Sequence, residues 1–172
     1  VTPGVLFPID VERSAVLSTD GRYRYELVRR WDDRPLLTWV MLNPSTADGE
    51  QDDPTIRRVM SFTERERIYG GCVVVNLFAY RATSPKDLLA AHRQGVDIAG
   101  QRNYEYLRQH IVPGSIAAWG ANAYCTGKYD RNQFIAPVHN AIGAATRCLG
   151  TTIIGHPRHP LYVRSTQPFT TF

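Results

Sequence analysis

The chain has 172 residues, 43% hydrophobic and 21% charged, with a net charge of +4. That length suits one domain with a full core, the composition is not that of a disordered chain, and no apolar run nears the roughly 20 residues that span a bilayer. Three widely spaced cysteines, Cys72, Cys125 and Cys148, with no C-x-x-C among them, point away from a disulfide framework or a zinc knuckle and toward a reducing, cytoplasmic setting.

Residues 1–14 lack a basic head followed by an apolar block, so no signal peptide is expected. Residues 15–18, the Asp20-Gly21 turn and residues 23–31 read as an antiparallel hairpin, because the second arm alternates polar and apolar side chains. Asp32-Asp33-Arg34-Pro35 is a turn. Four apolar or β-branched runs follow, at 36–42, 72–78, 115–120 and 146–150. Helical signals lie between them. Asp53-Pro54 reads as an N-cap with proline at the first helical position, and Ile56 and Val59 form the inner face. Ser84-Pro85, with Asp87 three residues after the cap, opens a second helix. A third is expected over 96–111, with Ile98, Leu107 and Ile111 on one face, and a fourth over 131–145. Alternation of strand and helix predicts an α/β fold, a three-layer sandwich around a central four-stranded parallel sheet, preceded by the antiparallel hairpin. The whole, 1–172, reads as one domain, with its parallel core at 36–165.

In such sheets ligands bind beyond the carboxyl ends of the strands. The first run ends in Asn43-Pro44-Ser45-Thr46. The second holds Asn76 and leads into Phe78, Tyr80 and Arg81. The third ends in Trp119-Gly120, and the fourth is followed by His156-Pro157-Arg158-His159-Pro160-Leu161-Tyr162. Asparagine offers a donor and an acceptor to a base edge, aromatic rings stack on its face, and histidine can hydrogen-bond a carbonyl oxygen on which charge develops. Neither a phosphate-binding glycine loop nor a G-x-S-x-G elbow occurs, which argues against dinucleotide enzymes, P-loop enzymes and serine hydrolases.

The ordered set Met41-Leu42-Asn43-Pro44-Ser45, Val73-Val74-Val75-Asn76, Ala117-Ala118-Trp119-Gly120 and His156-Pro157-Arg158-His159-Pro160-Leu161 resembles the strand-end motifs of the uracil-DNA glycosylase superfamily. Over about residues 20–165 the chain more closely resembles a bacterial and phage domain family of unknown function, numbered 1643. The superfamily resemblance implies a nucleobase N-glycosylase that hydrolyses the glycosidic bond of a base, modified or damaged, taken out of DNA. On that resemblance Asn43 would position the water and Asn76 would pair with the base edge. His156 or His159 would stabilise the leaving base, because the last motif is one residue longer than its counterpart. Leu161 or Tyr162 would fill the vacated stack.

Phe78 or Tyr80 would replace the stacking aromatic that the superfamily carries after its first motif, with Ser45 beside the base. Arg81, Arg158 and Arg164 would meet DNA phosphates. Asp48 is the carboxylate assigned to catalysis if any is. Asp53 reads as a helix cap, Asp52 as a loop acid, Trp119 as core, and Arg81 as a partner either for Asp87 or for phosphate. His92, His110 and His139 read as surface residues. No cofactor or metal is expected, no membrane contact, and a monomer. The alternatives are a non-catalytic reader of a nucleotide or modified base and a phage-type base-modifying enzyme on the same fold. Basic charge is almost all arginine, since Lys86 and Lys128 are the lysines. That suits phosphate and base contacts, and it equally suits a chain from a GC-rich genome.

Overall fold

A computed structural model describes residues 10–121 and 146–172. The hairpin forms as expected, from β1 (Glu12–Leu17) and β2 (Arg24–Arg30). Its turn closes through Gly21 N–H donating to the Ser18 carbonyl, with Asp20 accepting from the Ser18 hydroxyl. The hairpin does not stand apart from the core. Strand β2 pairs antiparallel with β4 (Gly71–Asn76) and so extends the sheet.

β3 (Leu36–Met41) lies on the other side of β4, in parallel. β3 also pairs in parallel with β5 (Ile116–Ala117), and β5 with β6 (Arg147–Cys148), each over two residues. An unforeseen strand, β7 (Thr170–Thr171), closes the far edge antiparallel to β6. The result is a mixed seven-stranded sheet in the order β1-β2-β4-β3-β5-β6-β7.

Successive side chains of β3 and β4 point to opposite faces, and each face has its own core. On one face Leu37, Trp39, Met41, Cys72 and Val74 pack with Ile56, Val59, Met60 and Phe62 of α1 (Pro54–Arg65). The buried Trp39 Nε1 is satisfied by Thr63 Oγ1 at 2.9 Å, and that hydroxyl donates in turn to Val59 O. On the other face Val40, Leu42, Val75 and Leu77 meet Leu88 and Ala91 of α2 (Pro85–Arg93) and Leu107 of α3 (Asn103–His110). Burial leaves the Cys72 thiol pushed up to about 12, an inert core group.

The caps explain where two helices start. Asp53 accepts from Ile56 N, and Ser84 forms a reciprocal capping box with Asp87. The third helix starts later than its apolar pattern suggests. Asp97 Oδ1 accepts from the N–H groups of Ala99 and Gly100, and this local turn takes the chain out of helix before Asn103. Ile98 is still buried, but from a loop. His110 is not the surface residue expected, since its imidazole is largely buried against Glu26. The helix expected over 131–145, with His139, lies outside the described residues.

Candidate functional site

The carboxyl ends of β3, β4 and β5 open into a cleft of about 930 Å³. Strand order turns back here: from β3 the next strand in sequence lies on one side and β5 on the other. Such a reversal leaves a crevice at the strand ends. A cleft of this size suits a small organic ligand.

Asn43 enters from the end of β3. Its Nδ2 donates to Ala82 O at 2.8 Å and to Pro44 O at 3.0 Å. Two carbonyl acceptors fix the amide, so Oδ1, an acceptor, is the atom left for the cleft. Asn76 ends β4 at 1% exposure. Its backbone carbonyl and that of Leu77 are held by Asn103 Nδ2, at 2.9 and 3.1 Å, which fixes the strand end. Its side-chain Oδ1 faces Arg24 Nη2 at 3.5 Å, so its amide nitrogen is the group it presents elsewhere.

The histidine loop is pressed onto the end of β5. Gly120 N–H donates to Pro157 O at 3.0 Å. Gly120 has φ +75°, and a Cβ there would lie 3.3 Å from His159 Cβ, so the turn and the close approach both require glycine. From the other side Arg58 of α1 donates to Pro160 O and Val163 O, at 3.3 and 2.6 Å. His159 is half-buried in the cleft wall and caps the short 3-10 turn Pro160–Tyr162. Its Nδ1 accepts from Leu161 N at 3.3 Å, which leaves the proton of the neutral ring on Nε2. Burial pushes its pKa down to about 4, against a smaller opposing pull from Asp53, so the ring is neutral at physiological pH.

The sequence left His156 and His159 as alternatives, and the structure separates them. His159 lines the cleft. His156 is buried at 5% exposure; its backbone N–H donates to Thr152 Oγ1, its carbonyl accepts from Thr152 N, and it is not among the described residues that line the cleft.

Asp48 also lies elsewhere. Its Oδ1 accepts from Glu50 N and Gln51 N, both at 2.9 Å, and these bonds hold its carboxyl below the usual range. Asp52 pairs with Arg29 at 2.6 Å and is structural. The one carboxylate among the described cleft residues is Asp53, which the sequence offered as a cap alone. It does cap α1, through Oδ1, and its second oxygen remains.

Ser45, Arg158, Leu161 and Tyr162 line the cleft as well. Phe78 does not: it is 2% exposed in the core. Tyr80 sits edge-on to Tyr23 at 5.7 Å, away from the cleft. Arg81 neither pairs with Asp87 nor lines the cleft. It donates to Gly21 O and Thr46 O, which ties the hairpin turn to the asparagine loop. Arg164 is exposed outside the cleft. Trp119 is core, edge-on to Phe172, with one side on the cleft.

Arg24 is a buried charged cleft residue that sequence reading missed. It is 2% exposed, and burial pushes its pKa down to about 10, so it remains cationic. Its only signal was a polar position in an alternating strand, which reads as solvent-facing until the asparagine loop is seen to cover it. Among the described residues, no group of three histidine, cysteine or acidic side chains is placed to hold a metal. No described helix is long and apolar enough to cross a membrane.

The family model described as "Protein of unknown function (DUF1643)" matches residues 24–161. The chain belongs to this family. The matched span of this DUF1643 chain opens at Arg24 and closes at Leu161, two cleft residues, and it takes in every other cleft residue except Tyr162. No curated protein and no solved structure matches the chain.

Proposed function

We propose that the cleft takes a nucleobase and that the protein hydrolyses its N-glycosidic bond, with DNA as the source of the base. One observation carries this reading: a neutral imidazole with its proton on Nε2 shares the strand-end cleft with a fixed asparagine acceptor. Breaking a glycosidic bond leaves negative charge on the base and positive charge on the sugar. His159 Nε2–H donates to the base oxygen on which charge builds. Asn43 Oδ1 accepts from the attacking water, and the free oxygen of Asp53 takes up its proton. Asn76 offers its amide nitrogen to the base edge. In this scheme Asp48 and His156 have no part in the chemistry.

The lip of the cleft supports a polymeric source. Leu161, at 39% exposure, and Tyr162, at 79%, stand there with Ile153 and Ile154. Exposed apolar side chains beside a cleft roomy enough for a base suit a wedge that replaces an extruded base. Arg158, also exposed at the rim, is placed for a phosphate. The parallel run β4-β3-β5-β6, with helices on both faces, agrees with a sandwich of the glycosylase type.

The test is base release. DNA carrying uracil and a panel of modified bases is incubated with the protein, free bases are identified by mass spectrometry, and abasic sites are revealed by alkali. Release that falls on His159→Ala and Asn43→Ala supports the reading. Binding of modified DNA with no release from any base would make the protein a reader and end the hydrolytic scheme.

A further inference from the structure

Arg24 is the part of the cleft that glycosidic chemistry leaves unused. A guanidinium has five N–H donors. Nη1 gives one to Ala47 O at 2.6 Å, and Nη2 meets Asn76 Oδ1 at the long distance of 3.5 Å. Nε has no partner among the described residues but is itself closed to solvent, so the donors left for a ligand are the second N–H of Nη1 and the second N–H of Nη2. No described carboxylate forms an ion pair with Arg24, and the charges of Asp53 and Asp48 act on it only from further away, against those of Arg81 and Arg29. Buried cations are normally paired, because an unpaired one loses its hydration without compensation.

Burial locates this cation within the cleft. Arg24 and Asn76 are 2% and 1% exposed, while Leu161 and Tyr162 at the lip are 39% and 79% exposed. Among the deeply buried lining residues, which also include Ile56 and Trp119, Arg24 and Asn76 are the polar ones and form the polar part of the floor. Asn76 spends its oxygen on Arg24, so both polar residues offer donors. A planar guanidinium fork matches the paired oxygens of a carboxylate or phosphate.

We infer that the cleft floor is a seat for an anionic oxygen group, carboxylate or phosphate, on the end of the ligand that enters first. Taken with the base-binding reading on which it rests, this makes the substrate a base whose own edge carries the acid group; a nucleotide led by its phosphate would seat the phosphate where that reading puts the base edge. Plain uracil leaves the seat empty. Arg24 is a specificity residue here and takes no part in bond breaking. If it served only to tether the asparagine loop through Ala47, anions would make no difference to binding.

Calorimetric titration of the full chain decides it, with inorganic phosphate, uridine monophosphate and carboxyuracil set against uridine and uracil. At least one anionic compound is expected to bind about tenfold or more tightly than its neutral parent, the gain of one charge-assisted hydrogen bond. Preference for carboxyuracil places the anion on the base, and preference for the monophosphate, with competition by inorganic phosphate, places it on a nucleotide. Arg24→Met is expected to abolish the preference while the circular dichroism of the fold is kept. Equal binding of anionic and neutral compounds by the unaltered protein overturns the inference, as does a preference that survives in Arg24→Met. Should that variant fail to fold, the comparison on the unaltered protein decides alone. Anion preference without base release keeps the seat and removes the glycosidic reading, while base release without anion preference does the reverse.

Discussion

Arg24 and Arg29 lie on the same strand, β2, and both are buried, at 2% and 0% exposure. Their surroundings differ. Arg29 Nε meets the Asp52 carboxylate at 2.6 Å, and its other nitrogens donate to the carbonyls of Val28, Asp48 and Gln51. The acidic loop is wrapped around it. Arg24 has one short bond to a carbonyl, one long one to an amide, and an unmatched Nε. A buried cation with its valences filled from within is a structural part, whereas one with valences left over in a cleft is an offer to a ligand. The carboxylates are sorted by partner and place: Asp52 pairs with Arg29, Asp48 is tied through Oδ1 to its own loop outside the cleft, and Asp53 lines the cleft with one oxygen left over.

The comparison is broken most directly by Asp52→Ala. If Arg29 is structural, removing its carboxylate strands a buried charge, and urea denaturation should show a loss of about 3–5 kcal/mol. A loss below about 1 kcal/mol would mean that the carbonyls alone suffice. Next in size is His159→Ala. It should lower base release by about 10²–10³-fold with the urea midpoint little changed, the usual cost of removing one charge-stabilising donor. An equal loss from His156→Ala, with the fold intact, would reverse the assignment of the two histidines.

The third expectation concerns acid. The folded pKa of His159, about 4, lies below the ordinary 6.5. Between those values the unfolded chain takes up a proton that the folded protein refuses. This contribution to stability is complete above pH 6.5 and is lost as pH falls toward 4, up to about 3 kcal/mol in all. His159→Gln should flatten that part of a stability-against-pH curve, and an unchanged curve would show that the imidazole is not desolvated. The fourth is Asp53→Ala, which removes a helix cap worth about 1 kcal/mol. Base release should fall by much more than that loss of stability explains, because the same side chain faces the cleft.

Arg24→Met should change stability least, within about 1 kcal/mol in either direction, since an apolar side chain replaces a charge that is not paired. A loss as large as that of Asp52→Ala would place Arg24 with Arg29 as a structural cation.

Much of the secondary structure was legible. Alternation in residues 23–31 gave β2, and the Asp53-Pro54 and Ser84-Pro85 signals gave two helix starts, because caps and hairpins depend on contacts a few residues apart. The pairing of β2 onto β4, the late start of α3 at Asn103 and the edge strand at Thr170–Thr171 were not legible. The first and last rest on partners far along the chain. The second turned on one aspartate whose turn outcompeted a helical apolar pattern.

The candidate site divides along the same line. Asn43, Asn76, Ser45 and the Arg158-to-Tyr162 segment could be picked out because each lies late in an apolar run or after one, and strand ends gather at one edge of a parallel sheet. Which histidine faces the cleft could not be picked out. That depends on how the 152–156 turn and the close approach of Gly120 to His159 set the loop against the sheet end. Nor could the sequence distinguish Arg24 from Arg29, two arginines of one strand. By itself the sequence determined the inner strands, the two capped helix starts and the edge of the sheet where the candidate residues gather, since these follow from local periodicity and capping. Only the tertiary structure decided which charged groups are spent and which are free. A charge is neutralised only by what folding brings beside it: for Arg29 that was the Asp52 carboxylate from the acidic loop, while Arg24, buried at the wall of the cleft, was brought no acid.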